Sequence, residues 1–180
     1  MLSKDNTGLI VVDVQGKLAT LVHESDQLIE NVTKLVKGAK ALNLPILWLE
    51  QNPERLGPTS EPIRVELETA HLPITKYTFD GSKEERFKLA VEIAKVDTWL
   101  VWGIESHICV YQTALSLRQS GYRVELVTDC VSSRTAANKA LALAKLTANG
   151  VVLTGLEMCL YEMVEDCRAP EFKDILALIK

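Results

Sequence analysis

Three residues that together could carry out nucleophilic catalysis are associated with three different apolar segments. Asp13 ends a run rich in β-branched residues, Lys76 lies in a short extended segment, and Cys109 follows a turn that begins at Gly103. A cysteine attacks as its thiolate, so it needs a base that takes the proton and a charge that stabilises the anion. Asp13 could accept the proton, and Lys76 could stabilise the thiolate and keep Asp13 ionised. The residues therefore predict a nucleophilic thiol if the fold brings them together.

The segment Leu100–Val110 surrounds the cysteine and has the pattern of a strand, a tight turn and a helix start. A helix N-terminus carries partial positive charge and free N–H groups. We therefore expect the thiolate of Cys109 to be favoured, and the N–H groups from Glu105 to Cys109 to receive the oxyanion of a tetrahedral intermediate. A lone cysteine is more often a small buried apolar residue, so the prediction depends on Asp13 and Lys76.

Strand patterns and amphipathic helix patterns alternate along the whole chain. This alternation predicts one α/β domain over residues 1–180, with a doubly wound, Rossmann-like parallel sheet and helices on both faces. We expect six strands in the order 3-2-1-4-5-6, in which the first and fourth strands are adjacent. Ligands of such sheets bind beyond the carboxyl ends of the strands, where the winding reverses, and there Asp13, Lys76 and Cys109 would converge. The segments predicted as strands are 8–13, 46–49, 73–77, 98–102, 124–129 and 151–154.

The composition disfavours several kinds of partner. The chain has 180 residues, a net charge of −4 and 47% hydrophobic residues, which are ordinary values for a soluble globular domain. It has no basic footprint for nucleic acid and no apolar run of bilayer length, so neither partner is expected. Its four cysteines form no C-x-x-C pair and its N-terminus lacks a signal-peptide layout. These features predict reduced thiols in the cytoplasm.

Four polar residues near the predicted mouth of the sheet are candidate substrate-binding residues: Gln15, Gln51, His107 and Gln112. The glutamines could orient a substrate carbonyl or amide, or they could face solvent. His107 could line the pocket or cap the helix start. The three histidines of the chain lack metal-ligand spacing, so we expect no metal ion and no cofactor.

The remaining cysteines are expected to pack rather than react. Cys130 follows a strand without a lysine or histidine nearby in sequence, and Cys159 and Cys167 lie in helical, apolar sequence. Trp48 and Trp102 lie within strand patterns and are expected in the core. A further tryptophan, Trp99, could be exposed or lie at an interface.

Several motifs in the chain resemble those of the isochorismatase-like cysteine hydrolases, most closely the isochorismatase domain-containing subgroup. The most specific is Gly103–Val110, which has the form G-x-E-[ST]-H-x-C-V and is followed by Gln112–Leu115. The resemblance covers almost the whole chain. The other segments that carry it are Leu9–Gln15, Glu50–Pro53, Leu56–Thr59, Thr75–Lys76, Thr128–Asp129, Ser132–Arg134 and Pro170–Lys173.

The resemblance implies a six-stranded parallel sheet and a catalytic triad of Asp13, Lys76 and Cys109. It also implies a cis peptide bond between Ile104 and Glu105, which would aim the N–H groups of Glu105 and Cys109 into an oxyanion hole. Nicotinamidases of this family carry an aspartate and two histidines after the second strand, and these residues bind a metal. The corresponding loop here, 50–55, contains no histidine, so the resemblance implies a metal-free enzyme.

A thiol nucleophile suits acyl transfer, so we expect cleavage of a C–N, amide-type bond of a small molecule through a thioester on Cys109. Ester hydrolysis or isochorismatase-type enol-ether hydrolysis is an alternative. A non-enzymatic interaction module on the same fold is another, and an oxidation-sensing thiol is a third. Oligomers are common on this fold, so we expect a homo-oligomer whose interface is formed by the two C-terminal helices or by the loop after Gln51.

Overall fold

Six parallel strands form one sheet in the computed structural model, which describes all residues from 1 to 180. The strand order is β3-β2-β1-β4-β5-β6, so the order predicted from the sequence is confirmed. All five neighbouring pairs are parallel, as the alternation of strands and helices predicted. The strands are β1 Thr7–Val12, β2 Ile46–Gln51, β3 Ile74–Lys76, β4 Thr98–Ile104, β5 Arg123–Ser132 and β6 Val152–Thr154.

Nine α-helices surround the sheet, and their bounds are α1 Leu18–Leu21, α2 Ser25–Ala41, α3 Pro53–Leu56, α4 Glu61–Leu67, α5 Glu85–Ala94, α6 Tyr111–Gln119, α7 Ala136–Ala148, α8 Leu156–Val164 and α9 Phe172–Ile179. On one side α2 packs against α4, α8 and α9, whereas α6 and α7 pack against each other and against β5 on the other. The two helix layers bury both faces of the sheet. No helix combines the length and the apolar composition that crossing a bilayer requires.

The centre of the sheet consists of β1 and β4, in which every residue is buried. Residues of this kind, mostly β-branched and aromatic, suit a strand that is covered by helices on both faces. Trp99 on β4 is also fully buried, and its ring occupies the space beside Gly8, where a Cβ would lie only 2.4 Å from the ring. The expectation that Trp99 is exposed or at an interface is wrong, because a central strand has no solvent-facing side.

A glycine near the end of β4 allows this strand to lie very close to β1. Gly103 has a φ of 127°, and a Cβ at this position would lie 2.0 Å from the carbonyl oxygen of Val12. Only glycine fits such a backbone conformation at such a close approach. The strand end that leads to Cys109 is therefore held directly beside the strand end that leads to Asp13.

The other cysteines follow the predictions in two cases out of three. Cys130 and Cys159 are buried, whereas Cys167 is exposed. The prediction for Cys167 is wrong because α8 ends at Val164 and Glu165 adopts a positive φ of 62°, so that Cys167 lies in the connection to α9. In addition, β5 continues beyond the predicted end at residue 129, so Cys130 lies inside this strand.

Candidate active site

The carboxyl ends of β1, β3 and β4 bring the three predicted residues together. Asp13 directly follows β1, Lys76 is the last residue of β3, and Cys109 follows β4 after a short turn. Lys76 Nζ lies 2.7 Å from Asp13 Oδ2. Asp13 and Cys109 line the same pocket. The arrangement lies where the winding of the sheet reverses, since the first and fourth strands are adjacent at this point.

The backbone of Asp13 turns its side chain away from the strand. Its φ is 52°, in the left-handed region that aspartate tolerates better than most residues. The N–H of Asp13 donates to the carbonyl of Leu49 at 3.3 Å, and its own carbonyl accepts from the N–H of Gln15 at 2.8 Å. The carboxylate is only 3% exposed. It is therefore fixed at the base of the pocket.

Lys76 is the most deeply buried charged residue of the site, with none of its surface exposed. Besides Asp13, its ammonium donates to Gln51 Oε1 at 2.7 Å and to the carbonyls of Thr78 and Phe79 at 3.3 and 3.4 Å. An ammonium has three protons, so these four acceptors engage all of them. Burial of the charge is tolerated because it is paired and fully hydrogen-bonded.

The second carboxylate oxygen of Asp13 has a different environment. Asp13 Oδ1 is buried and accepts no conventional hydrogen bond from nitrogen or oxygen. Burial raises the pKa of Asp13, although the Lys76 charge and interactions with Lys76 and the Cys109 thiol oppose the shift. A buried acceptor without a donor is unfavourable, so Oδ1 is available to receive a proton.

The thiol of Cys109 is not stabilised as a thiolate in the resting site. Burial raises its pKa to about 12, the negative charge of Asp13 raises it as well, and the Lys76 ammonium opposes both effects. The prediction that a helix start would favour the thiolate is therefore wrong in direction. The physical reason is that only 7% of Cys109 is exposed, and loss of hydration outweighs the nearby positive charge.

Cys109 lies in a π-helical turn, Ser106–Val110, which directly precedes α6. The peptide bond between Ile104 and Glu105 is cis. The carbonyl of Glu105 accepts hydrogen bonds within this turn, whereas its N–H donates to no backbone carbonyl. The buried side chain of Glu105 accepts from the N–H and Nε of Arg134 at 3.0 and 3.1 Å. This ion pair fastens the turn to the loop after β5.

Two of the four candidate substrate-binding residues have side-chain amides that are engaged by the protein. Gln15 is fully buried; its Nε2 donates to the carbonyls of Gln51 and Gly57, and its Oε1 accepts from the N–H of Gln51. Gln51 lines the pocket, but its Oε1 accepts from Lys76 and its Nε2 donates to the carbonyl of Tyr77. Both glutamines therefore hold the loops around the pocket in place.

The other two candidates lie outside the pocket. His107 Nδ1 is 2.9 Å from Ser133 Oγ, and the ring lines a separate cavity beside Tyr111 and Lys145. Gln112 is half-buried on α6 and is not among the residues that line the pocket. Of the four candidates, Gln51 alone borders the space next to Cys109.

The pocket is small, at about 110 Å³, and its walls are mostly apolar. Sequence reasoning missed these walls, although they follow a simple pattern. Three of the residues come from the segments that follow β1, β2 and β3, one is the last residue of β4, and one lies in the π-helical turn. They are Leu18, Leu56, Phe79, Ile104 and Ile108. No group of three or more histidine, cysteine, aspartate or glutamate side chains is arranged to hold a metal ion.

The doubly wound sheet, with a pocket at the carboxyl ends of its strands, defines a Rossmann-like α/β protein. A family model described as the isochorismatase domain matches residues 7–158. The chain belongs to the isochorismatase family.

Two relatives illustrate the range of the family. The "Secreted isochorismatase effector Isc1" of Phytophthora sojae is 36% identical over 178 residues, which cover 96% of this chain and 83% of that protein. "Isochorismatase domain-containing protein 1" of Danio rerio is 31% identical over 179 residues, which cover 99% of this chain and 62% of that protein. The motifs had suggested the isochorismatase domain-containing subgroup, and the name of the second relative confirms this subgroup.

Solved structures with the same fold match almost the full chain. The MAR1 ribonuclease of Caenorhabditis elegans has a TM-score of 0.94 and 29% identity, covering 99% of this chain and 91% of that one. YcaC from Pseudomonas aeruginosa, with hexane-2,5-diol and covalent acrylamide, has a TM-score of 0.92 and 25% identity, covering 98% and 90%. The Escherichia coli YcaC product, described as an octameric hydrolase of unknown specificity, has a TM-score of 0.93 and 23% identity, covering 98% and 89%.

Proposed function

We propose that this protein is a cysteine hydrolase that cleaves an amide-type C–N bond of a small molecule through a thioester on Cys109. The observation that carries the proposal is that Asp13 and Cys109 line one pocket while the Lys76 ammonium is paired with Asp13 Oδ2 and Asp13 Oδ1 has no nitrogen or oxygen donor. Membership of the isochorismatase family supports a small-molecule hydrolase. Because burial raises the pKa of the Cys109 thiol, the proposed mechanism begins with a proton transfer.

The first step moves the thiol proton of Cys109 to Asp13 Oδ1. Burial raises the pKa of both groups, so a carboxylate that has become more basic is paired with a thiol that is kept neutral until substrate binds. The transfer leaves the total charge of the site unchanged, because one anion replaces another. Lys76 stays next to the new anion and stabilises it electrostatically.

The thiolate then attacks the carbonyl carbon, and the carbonyl electron pair moves to oxygen. The free N–H of Glu105 is suited to receive this oxyanion; the N–H of Cys109 is the second donor expected from the family resemblance. Collapse of the intermediate breaks the C–N bond while Asp13 returns its proton to the leaving nitrogen. Asp13 next deprotonates a water that attacks the thioester, and the released sulfur recovers a proton, so the site is regenerated.

The acrylamide bound covalently to the Pseudomonas aeruginosa protein supports a nucleophilic group in this fold, because a nucleophile adds to the carbon–carbon double bond of acrylamide and leaves its amide intact. The Caenorhabditis elegans protein is described as a ribonuclease. RNA binding depends on cationic groups that contact phosphates, whereas the one ammonium of this site, on Lys76, is buried and fully engaged. The site therefore favours an amide over RNA as the substrate.

The direct test is intact-mass spectrometry of the protein after incubation with acrylamide, combined with ammonia release from a panel of small primary amides. The reaction is followed in the Cys167→Ser protein, which lacks the exposed thiol and is expected to form one adduct and to release ammonia from at least one amide. Adding Cys109→Ala to this protein should abolish both signals. The wild-type protein is the matched control, in which Cys167 contributes a further adduct and ammonia release is unchanged. Ammonia release that persists in Cys109→Ala would refute the proposal.

Two further expectations stay predictions. We propose that the protein forms a homo-oligomer, as the Escherichia coli neighbour is described to do, and light scattering of the purified chain would measure this. The cytoplasmic location expected from the cysteines also stays a prediction; the Phytophthora sojae relative is described as secreted.

A further inference from the structure

We propose that the substrates of this pocket are small acyl compounds without negative charge, and that anionic compounds are rejected. This inference rests on the proposed function, because it names the substrate class for the same site. It depends on three properties of the pocket: its size, the apolar character of its walls, and the absence of lysine and arginine from the residues that line it.

The size of the pocket limits the acyl group. Its volume is about 110 Å³, whereas sites for drug-sized ligands typically have about 300–1,000 Å³. The pocket is therefore suited to a small acyl group. Most of its surface comes from leucine, isoleucine and phenylalanine side chains, so it favours a short aliphatic chain next to the reacting carbonyl.

The charges around the pocket disfavour an anion. Lys76 has no exposed surface, and its donors are engaged by Asp13, Gln51 and two backbone carbonyls. Arg134 is 58% exposed, and its N–H and Nε are bound to Glu105. Neither side chain is among the residues that line the pocket. A carboxylate in this pocket would therefore lose its hydration, lie close to the carboxylate of Asp13, and meet no cationic side chain along the walls in exchange.

The two glutamines do not change this conclusion. The Nε2 groups of Gln15 and Gln51 donate to backbone carbonyls. The remaining donors at the pocket carry no charge: the N–H of Glu105, which donates to no backbone carbonyl, and the N–H of Cys109 expected from the family resemblance. Such neutral donors suit a carbonyl oxygen. A dicarboxylate such as isochorismate would need at least one further cationic partner, so the geometry points away from the reaction for which the family is named.

A pair of reagents that differ mainly in charge tests the inference. Iodoacetamide and iodoacetate are similar in size, and their labelling of Cys109 in the full-length wild-type protein is followed by peptide mass spectrometry. The exposed Cys167 of the same molecule corrects for the intrinsic reactivity of each reagent. We expect the iodoacetamide-to-iodoacetate rate ratio at Cys109 to exceed the ratio at Cys167 at least tenfold. Equal ratios, or a preference of Cys109 for iodoacetate, would overturn the inference.

A designed change of charge at the pocket rim sharpens the test. Leu56 lines the pocket and is partly exposed, so Leu56→Arg adds a guanidinium that can meet an anion. This variant is expected to raise the relative rate of iodoacetate at Cys109 several-fold. The matched neutral control, Leu56→Gln, should leave the rate ratio close to that of wild type. A similar gain in both variants would show that size rather than charge limits iodoacetate, and would contradict the inference.

The inference can fail separately from the proposed function. If neither reagent labels Cys109, the proposal of a nucleophilic thiol is refuted. The charge preference is then measured by binding alone, with propionamide and propionate as probes and NMR shifts of the wild-type protein as the readout. Saturable shifts of residues around the pocket with propionamide, and none with propionate, would support the substrate class. The opposite result would overturn it.

Discussion

Two regions of the molecule combine a buried thiol with a carboxylate, and only one of them has the parts of a catalytic site. The first contains Cys109 and Asp13. The second contains Cys130 and Cys159, whose pKa values are raised by burial and, to a lesser extent, by the charge of Asp129. The pKa of Cys159 is raised to about 12, the same value as for Cys109. A raised thiol pKa therefore does not distinguish a reactive cysteine from a packed one.

The difference lies in how each carboxylate is used. Asp129 is exposed and its Oδ1 accepts from the N–H of Leu156 at 2.8 Å, which holds the start of α8. Asp13 is buried, is paired with the ammonium of Lys76, and keeps Oδ1 without a donor. In addition, the thiol of Cys109 borders a pocket, whereas Cys159 donates to the carbonyl of Leu156 and is sealed in the core. A free acceptor, a buried cation and an accessible space together define the catalytic candidate.

The largest expected contrast is in catalysis. Asp13→Asn removes the proposed proton acceptor and should lower the rate of the proposed amide hydrolysis by roughly 10²- to 10⁴-fold, the usual contribution of a general base. Asp129→Asn changes the other carboxylate and should leave this rate within twofold. The rates are measured as ammonia release under saturating amide. A similar loss in both variants would mean that the two regions do not differ in function.

A second contrast concerns stability. Lys76→Met leaves the charge of Asp13 buried without its partner, which should lower the free energy of unfolding by about 3–5 kcal/mol. Lys139→Met changes a partly exposed lysine near Cys130 and should lower it by less than about 1 kcal/mol. Urea denaturation measures both values. Adding Asp13→Asn to Lys76→Met should recover part of the loss, because the unpaired charge is then absent; no recovery would argue against the buried ion pair.

The pH dependence of thiol labelling tests how burial and the Asp13 charge raise the pKa of Cys109. With a pKa of about 12, Cys109 in the wild type should still be gaining reactivity toward iodoacetamide at pH 11, whereas a hydrated thiol levels off about one unit above its pKa of roughly 8.5. The Asp13 carboxylate raises the Cys109 pKa, so Asp13→Asn should move the rise to lower pH. Rates measured from pH 6 to 11 check this, and a rise at higher pH in Asp13→Asn would contradict it.

The smallest effect is expected at the packed thiol. Cys159→Ala removes one buried sulfur and should lower the free energy of unfolding by about 1 kcal/mol, through lost packing. The rate of amide hydrolysis should be unchanged, because Cys159 does not reach the pocket. Thermal denaturation and ammonia release measure the two quantities. Reduced hydrolysis in a fully folded Cys159→Ala protein would show that the second region contributes to the chemistry.

Much of the fold could be predicted because parallel sheets leave a clear pattern in the chain. Buried strands such as β1 and β4 are continuous apolar runs, and the handedness of their connections restricts the strand order to few choices. The grouping of Asp13, Lys76 and Cys109 could be anticipated for the same reason, since residues at the carboxyl ends of parallel strands share one edge of the sheet. The errors at Trp99 and Cys167 concern burial, which depends on what packs against a residue from elsewhere in the chain, and the error on the acidity of Cys109 has the same origin.

The sequence by itself determined the strand order and the residue types that meet at the end of the sheet, because both follow from local periodicity and from the chirality of the backbone. Only the tertiary structure decided the properties of these groups. Burial raises the pKa of the Cys109 thiol, whereas the helix start seen in the sequence had predicted a lower pKa. The surrounding loops engaged the amides of Gln15 and Gln51 and supplied the apolar walls of the pocket. Hydration and hydrogen-bond partners are set by distant segments, so local sequence cannot specify them.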